Sequence, residues 1–477
     1  MLFPPPRYCS LWRPVVESLS AAVGRLLASP GFKFLLICGL ILVLTIPLLL
    51  VWGLIGEREQ RAEGVRQSVA NEWGRSQYID GPLLIVPYTV RRITGEGDKR
   101  VEELVEKRAV FLPQSLKITG KATTKVLHRS IYDVAVYTGF LDFEGSFAAP
   151  DISEVVADAQ SVRWRDAVLA VAVSDVSGLK AAASLSIDGS ETLPFEPSIG
   201  VPATSANGIH VRLASATKLF ASPGTAPDAT PTGLNAFNFK FSLTINGSSE
   251  LTFAPVAQQT TVELTSDWRD PSFMGAFLPN DRVLNPAAFA ARWQIPHLAR
   301  SVPQAWSLGE QELERMAPYS FGVRFIVPVD FYQLVSRAAK YAMMFLATAF
   351  MAVFLLEIRS ARQVHPVQYL FVGLTMIFFY VLLLSFAEQI GFLRAYLIAA
   401  VATGGLLSLY VARVQASLNK GLVMAGAFFV LYGLLYLILR LEDYALLAGA
   451  IAGFVMLAVV MFSTLQVDWS GQKRNAG

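Results

Sequence analysis

The sequence predicts an integral membrane α-helical protein of six spans, one N-terminal and five C-terminal, carrying a large, mostly-β, sandwich-like extracytoplasmic domain. Three observations predict it. One apolar run of about 22 uncharged residues, Phe34–Ile55, stands near the start of the chain, and about 20 such residues cross a hydrocarbon core of ~30 Å. A largely polar segment of about 280 residues follows, and then a dense series of apolar stretches from Tyr341 to Val467. The composition, 53% hydrophobic and 16% charged over 477 residues, is that of two solvents' worth of protein in one chain.

The chain divides accordingly into a cytoplasmic tail (1–33), a transmembrane anchor (34–55), an extracytoplasmic domain (56–339), a five-helix bundle (340–467) and a second cytoplasmic tail (468–477). The first run exceeds the roughly 7–15 residues of a signal-peptide core and no Ala-x-Ala-like site follows it, so it reads as an uncleaved signal anchor in which Pro47 is a mild kink. Ala62, Val65, Val69 and Trp73 then recur at three- and four-residue spacing among charged residues, which extends the helix to near Gly74. The later spans fall at about Tyr341–Leu356, Val367–Ala387, Ala395–Ala412, Gly421–Leu439 and Tyr444–Val467. The first is short, and Lys340 and Glu357 at its ends can snorkel to the headgroups. Arg7, Arg13, Arg25 and Lys33, then Arg359 and Arg362, Arg413 and Lys420, and Lys473 and Arg474 share one side; the opposite short turns hold only Arg394 and Arg440. By the positive-inside rule both termini are cytoplasmic and the domain lies outside, in the periplasm of a Gram-negative-type cell.

Within the domain, β signals dominate: Leu83–Val90, Ala109–Leu112, Leu116–Thr119, Tyr132–Tyr137, Val168–Val173, Phe237–Ile245 and Thr260–Leu264. Gly81-Pro82 reads as a turn before the first strand and Asn246-Gly247 as a hairpin turn after a strand of faultless alternation. Asn285-Pro286 reads as the N-cap and first turn of a short helix through Trp293, ended by Pro296. The Phe-, Trp- and Pro-rich segment Gly275–Trp306 is expected to cap the sheets, and a helix from about Phe331 to run into the second span. The shared Trp-Arg-Asp of Trp164–Asp166 and Trp268–Asp270 is too short to establish two similar halves.

The residues supply no catalytic, cofactor-binding or metal-ligating constellation, and a non-enzymatic protein is expected. The two cysteines, Cys9 and Cys38, lie outside the domain, which excludes a disulfide framework or thiolate metal site there. His128, His210, His297 and His365 show no metal-ligand spacing, and no nucleophile elbow, phosphate loop or dinucleotide fingerprint occurs. A net charge of +3 without a basic stripe argues against nucleic acid. The candidate functional residues are therefore charges at the membrane edge, Glu388, Arg394, Arg440, Glu442 and Asp443, for which interfacial anchoring is the stronger reading over transport. Gly449 and Gly453 form a Gly-x-x-x-Gly match that signals a homo-oligomer weakly and packing within the bundle more strongly. Spans three and four share with five and six a loose pattern of aromatic helix, acidic turn and small-residue helix, which suggests a tandem hairpin repeat as readily as low-complexity coincidence.

Glu57-Arg58, Trp73-Gly74, Gly81-Pro82 and Pro87-Tyr88, then Gly275-Ala276-Phe277-Leu278-Pro279, His297-Leu298-Ala299-Arg300 and Phe321-Gly322-Val323, continue into His365-Pro366-Val367-Gln368-Tyr369, Glu388-Gln389-Ile390-Gly391-Phe392 and Glu442-Asp443-Tyr444-Ala445-Leu446-Leu447. This ordered series resembles the CreD family of bacterial inner-membrane proteins, with about Gly139–Pro231 matching poorly. The resemblance implies a protein of the Cre regulon, associated with envelope integrity, altered sensitivity to envelope-acting agents and tolerance of E-type colicins; it brings no catalytic residue or cofactor. The leading expectation is an envelope protein, embedded in the lipid bilayer, whose β domain binds an unidentified periplasmic or envelope partner. The alternative is a transporter or flippase-like bundle with an accessory domain.

Overall fold

The computed structural model of the chain describes residues 30–94, 101–201, 206–221, 231–308, 312–325, 331–358, 364–441 and 444–465. Arg7, Arg13, Arg25, Arg359, Arg362, Lys473, Arg474, Cys9, Glu442 and Asp443 lie outside the described residues, as do both tails beyond 30 and 465. Two compact units emerge, Met1–Ala62 with Val329–Gly477, and Glu63–Pro328.

The first unit is helical. Its elements are α1 (Pro30–Trp73, whose last turns from Glu63 belong to the second unit), α2 (Phe331–Lys340), α3 (Ala342–Ile358), α4 (Pro366–Ile390), α5 (Phe392–Val414), α6 (Leu418–Arg440) and α7 (Ala445–Thr464). Among the described residues five helices are long and apolar enough to cross a bilayer, and six if the pair α2 and α3 counts as one span. That pair does not run straight: it bends by 49° at Tyr341. On α1, Ile37, Leu44, Leu48, Val51 and Ile55 form one buried stripe at three-, four- and seven-residue spacing, while Leu42, Ile46, Leu49 and Leu50 face outward. Leu44 seats against Gly373 of α4, where an added Cβ would come within 2.3 Å of it, so the glycine is the hole for this knob. His365 caps α4: its Nδ1 accepts from the Val367 amide, while Gln368 accepts from the His365 amide, and Pro366 occupies the first turn. Gly449 of α7 faces the Tyr341 ring and Gly453 faces Met344, so the Gly-x-x-x-Gly match serves packing within the chain. The two hairpins are not packed alike, since α5 has half of its apolar window buried and α7 only 6%.

The second unit is β-rich. In chain order its strands are β1 (Gln77–Thr94), β2 (Val101–Phe111), β3 (Ser115–Arg129), β4 (Tyr132–Phe147), β5 (Ala159–Val162), β6 (Val168–Val173), β7 (Ser184–Ile187), β8 (Glu191–Pro194), β9 (Glu196–Pro197) and β10 (Gly208–Arg212). They continue with β11 (Phe220–Ala221), β12 (Gly233–Leu234), β13 (Phe237–Ser248), β14 (Glu250–Phe253), β15 (Gln259–Ser266), β16 (Pro271–Gly275), β17 (Asp281–Asn285), β18 (Ala288–Pro296), β19 (Ala305–Ser307) and β20 (Phe321–Phe325). One sheet runs β16-β20-β14-β1-β6-β10-β9, with β2 and β5 also on β1 and β19 on β2; the other runs β17-β18-β15-β3-β4-β13-β7-β8. Pairing is antiparallel except for β1 with β14 and β3 with β15. The two sheets share one hydrophobic core. In β3 and β13 alternate residues point inward, as a sheet with one solvated face requires. Leu83, Leu84, Ile85 and Val86 of β1 are instead all buried, the mark of a strand covered on both faces. Phe143 stacks on Phe241 at 4.6 Å and Phe147 on Phe237 at 5.3 Å across the β4–β13 pair.

Four sequence expectations are corrected here. Gly81-Pro82 is not a turn before a strand but a bulge inside β1, where pairing with β6 shifts register between Asp80 and Leu83. Gly81, at φ +134, admits no side chain, because a Cβ would lie 2.9 Å from the Ala170 carbonyl oxygen. Asn246-Gly247 is also internal to a strand: β13 pairs on through Asn246 with Thr138 and Gly247 with Tyr137. The chain turns at Ser249, φ +61, and so passes from one sheet to the other. The helix expected over Asn285–Trp293 is a hairpin, β17 and β18 joined by Pro286-Ala287. Phe289, Ala291, Trp293 and Ile295 all point inward, a period of two that only a strand satisfies. For the same reason Gly275–Trp306 is not a cap but supplies strands to both sheets. The two Trp-Arg-Asp copies differ, Trp164–Asp166 being a 3-10 turn and Trp268-Arg269-Asp270 a loop.

Candidate functional site

Among the described membrane-edge charges, Glu388 is the one whose side chain the fold buries. It sits near the end of α4, 9% exposed, with the Arg58 guanidinium 3.7 Å from one carboxylate oxygen and the Tyr332 hydroxyl donating to the other at 3.1 Å. At the opposite end of α4's neighbourhood, Glu357 closes α3 and is buried as well. It accepts from the Lys33 ammonium at 2.6 Å, the Val364 amide at 3.0 Å and the Tyr369 hydroxyl at 2.7 Å. A carboxylate in a low-dielectric site is tolerated only when its lone pairs are satisfied in this way. Both pairs tie α1 to the bundle. Lys33 and Arg58 stand 25 positions apart, about 37 Å along a helix at 1.5 Å per residue. That separation exceeds the ~30 Å hydrocarbon core and falls short of the ~40–45 Å of the whole bilayer, so the two clamps fit its two interfaces.

Arg440 ends α6 with its Nε donating to the Tyr436 hydroxyl at 3.0 Å and its guanidinium 5.6 Å from that ring's centre. Arg394 lies exposed in the first turn of α5. These two cations share one end of the antiparallel α5–α6 pair, and between the two helices runs an open apolar groove of about 400 Å³. Beneath it the Tyr396 hydroxyl donates to the Tyr432 carbonyl at 2.6 Å, and the Thr403 and Tyr432 hydroxyls share a bond of 2.9 Å. Glu442 and Asp443 lie outside the described residues. Glu388, Arg394 and Arg440 thus belong to the end of the bundle that holds the Arg58 clamp, while Lys33, Arg413 and Lys420 belong to the other.

In the β unit the polar residue most at odds with its surroundings is Asp80, buried at the β1 bulge. It accepts one long bond, from the Tyr78 hydroxyl at 3.4 Å, and its Oδ1 has no partner in the protein. Burial pushes its carboxyl up to about 7, against the opposing pull of Tyr78 and Arg300. Arg300 is buried too, donating to the carbonyls of Val302 at 2.6 Å and Val256 at 3.0 Å, and burial lowers its guanidinium to about 10. The histidines do not converge. His210 meets the Ser198 carbonyl at 2.9 Å, His128 meets Asp133 at 2.5 Å and His365 is a cap. Among the described residues no three His, Cys, Asp or Glu side chains gather in a way that could hold a metal ion.

The remaining surface of note is an edge. β17 closes one side of the second sheet, and all five of its residues are exposed, Val283 at 58% and Leu284 at 55%. Of the other outer strands, β16, β9 and β8 carry proline, Pro271, Pro197 and Pro194, which disfavours pairing with a further strand, and β5 and β19 are only four and three residues long. β17 carries none.

The family profile described as inner membrane protein CreD matches residues 29–470. The chain belongs to the CreD family. It is similar to inner membrane protein CreD of Escherichia coli (strain K12), at 30% identity over 445 residues, covering 93% of this chain and 95% of that protein. The match runs through both units, so this CreD family member is an inner-membrane protein of apolar helices with a large β domain. Within that frame, sequence reasoning named Glu388 and Arg440 but placed neither Arg58 beside the first nor Lys33 beside Glu357. Lys33 and Glu357 are 324 positions apart, and no local pattern links them.

Proposed function

We propose that this protein supports cell envelope integrity, and tolerance of envelope-acting agents, by a non-enzymatic route in which its β domain binds a partner on the periplasmic side. The uncovered β17 edge carries this reading. An unpaired strand presents a row of free N–H and C=O groups with side chains alternating above and below, so an extended partner segment can add to it by β-augmentation. Proline in β16, β9 and β8 disfavours that addition there, and the outer strands β5 and β19, four and three residues long, offer a shorter ladder than the five residues of β17. The periplasmic placement draws on the sequence positions of Arg359, Arg362, Arg413, Lys420, Lys473 and Arg474 under the positive-inside rule. The pairs at Lys33 and Arg58 hold α1 to the helical bundle.

The test is a photo-crosslinking amino acid at position 284 of the full chain in cells, beside a control at the exposed Val126 of β3. A discrete adduct from position 284, lost when Val283→Pro is added and accompanied by loss of envelope-stress survival, is expected. Equal labelling from both positions, or full survival of a Val283→Pro variant present at normal membrane levels, would refute the proposal.

A further inference from the structure

The groove between α5 and α6 is a lipid-facing slot with cations at one end. Its floor is made by residues too small to fill it. An added Cβ at Gly405 or Gly433 would meet nothing within 4 Å, and one at Gly404 would make only ordinary contact with Tyr432. Its walls stand well out, Val401 at 73% and Phe429 at 81% exposure, and its lining is almost wholly apolar. Along α5 the lining runs from Leu393 to Ser408, about 22 Å at 1.5 Å per residue, longer than the ~15 Å half-thickness of a hydrocarbon core of ~30 Å. These spans face acyl chains wherever they do not face protein, so a concave apolar slot in them is dry and fitted to a chain rather than to water.

One end of the slot supplies the charge. Arg394 stands three and seven positions before Leu397 and Val401, and Arg440 stands four and seven positions after Tyr436 and Gly433, so helical spacing sets both cations in line with the groove's walls. Arg440 is held over Tyr436, itself a lining residue, and its Nε bond leaves its terminal nitrogens without a partner among the described residues and able to face a phosphate. We infer that this groove binds an anionic phospholipid of the surrounding bilayer, with one acyl chain along Gly404, Gly405 and Gly433 and its phosphate at Arg394 and Arg440. The complementarity of an apolar slot with a cationic mouth selects this occupant over a second copy of the chain, whose apolar helix would leave both arginines unanswered. Glu442 and Asp443 follow Arg440 in the sequence, and their charge opposes the arginines, so the anionic preference is a direct measure of which sign prevails.

The experiment uses the full chain, purified, delipidated and incubated with equimolar phosphatidylglycerol and phosphatidylethanolamine, with bound lipid and oligomeric state read by native mass spectrometry. The wild-type chain is expected to retain phosphatidylglycerol with roughly thirtyfold preference, the scale of two basic residues at a lipid headgroup. R394Q with R440Q is expected to lose the preference while still holding lipid. G405L with G433L, which fills the slot from positions where nothing is displaced, is expected to hold neither lipid at this site. Equal retention of both lipids by the wild-type chain, or a preference that survives both double variants, would overturn the inference. A wild-type dimer that the glycine substitutions convert to monomer would overturn it as well, by assigning the groove to a second copy.

Discussion

At the scale of single residues, Asp80 makes the sharpest statement. Its carboxyl ionises near 7 in the folded chain and near 3.8 when exposed, so between these values the folded state holds the proton more tightly than the unfolded state does. Stability from this group is therefore greatest below about pH 4, falls as pH rises through 7 and is flat above. The rise from 3.8 to about 7 corresponds to roughly 4 kcal/mol at full effect. Arg300, titrating near 10, stays charged throughout this window and adds no slope. Asp80→Asn is expected to remove the slope, raising the melting temperature of the full chain in detergent at pH 8 and raising it by far less at pH 4.5. An equal effect at both pH values would mean that Asp80 is not held protonated. In the bundle, Glu357→Ala discards three hydrogen bonds and strands Lys33, for a cost of about 3 kcal/mol, the range for breaking a buried pair. Lys33→Met is expected to cost less, since Lys33 is 23% exposed and Glu357 keeps Tyr369 and Val364. Thermal unfolding of the two variants orders them, and the reverse order would show that Lys33 rather than the carboxylate holds the site.

At the scale of elements, α1 is tied to the bundle at two points 25 positions apart, Lys33 to Glu357 and Arg58 to Glu388. The Arg58–Glu388 pair is the weaker clamp because Arg58 is 38% exposed and solvent screens it, so its loss is expected to cost below about 1 kcal/mol. Arg58→Glu places two carboxylates together and is expected to lower membrane levels of the protein, with Glu388→Arg in the same chain restoring them. Failure of the swap to restore would leave Tyr332 as the partner that matters. The helices were legible in the sequence because each is a long apolar run, and most strands because their alternation is regular. Where reading failed, one residue carried two meanings. Asn285-Pro286 opens a helix as readily as it turns a hairpin, and the deciding signal lay downstream in the two-residue period of Phe289, Ala291, Trp293 and Ile295. Asn246-Gly247 has turn chemistry, yet Gly247 is required because the Tyr137 hydroxyl occupies the space of a side chain there. The clamps were not legible at all, since an ion pair between residues 324 positions apart is a product of helix packing.

At the scale of the whole molecule, family membership places the chain in the inner membrane, and the fold distributes its chemistry over separate surfaces. Among the described charges that motivated a transport reading, Glu388 has Arg58 and Tyr332, and Arg440 has Tyr436, as local partners. In the β unit the β17 edge stands open among the described residues, with Val283 and Leu284 exposed on it. Leu284→Lys is expected to change stability by less than about 0.5 kcal/mol, as an exposed substitution should, while weakening partner capture. The most direct measurement is survival of a deletion strain under envelope stress when it carries the wild-type chain, Val283→Pro or Leu284→Lys at matched membrane levels, with crosslinking from position 284 read in the same cells. Binding through β17 predicts that survival and the crosslinked adduct fall together in both variants. Wild-type survival in a variant that has lost the adduct would contradict it.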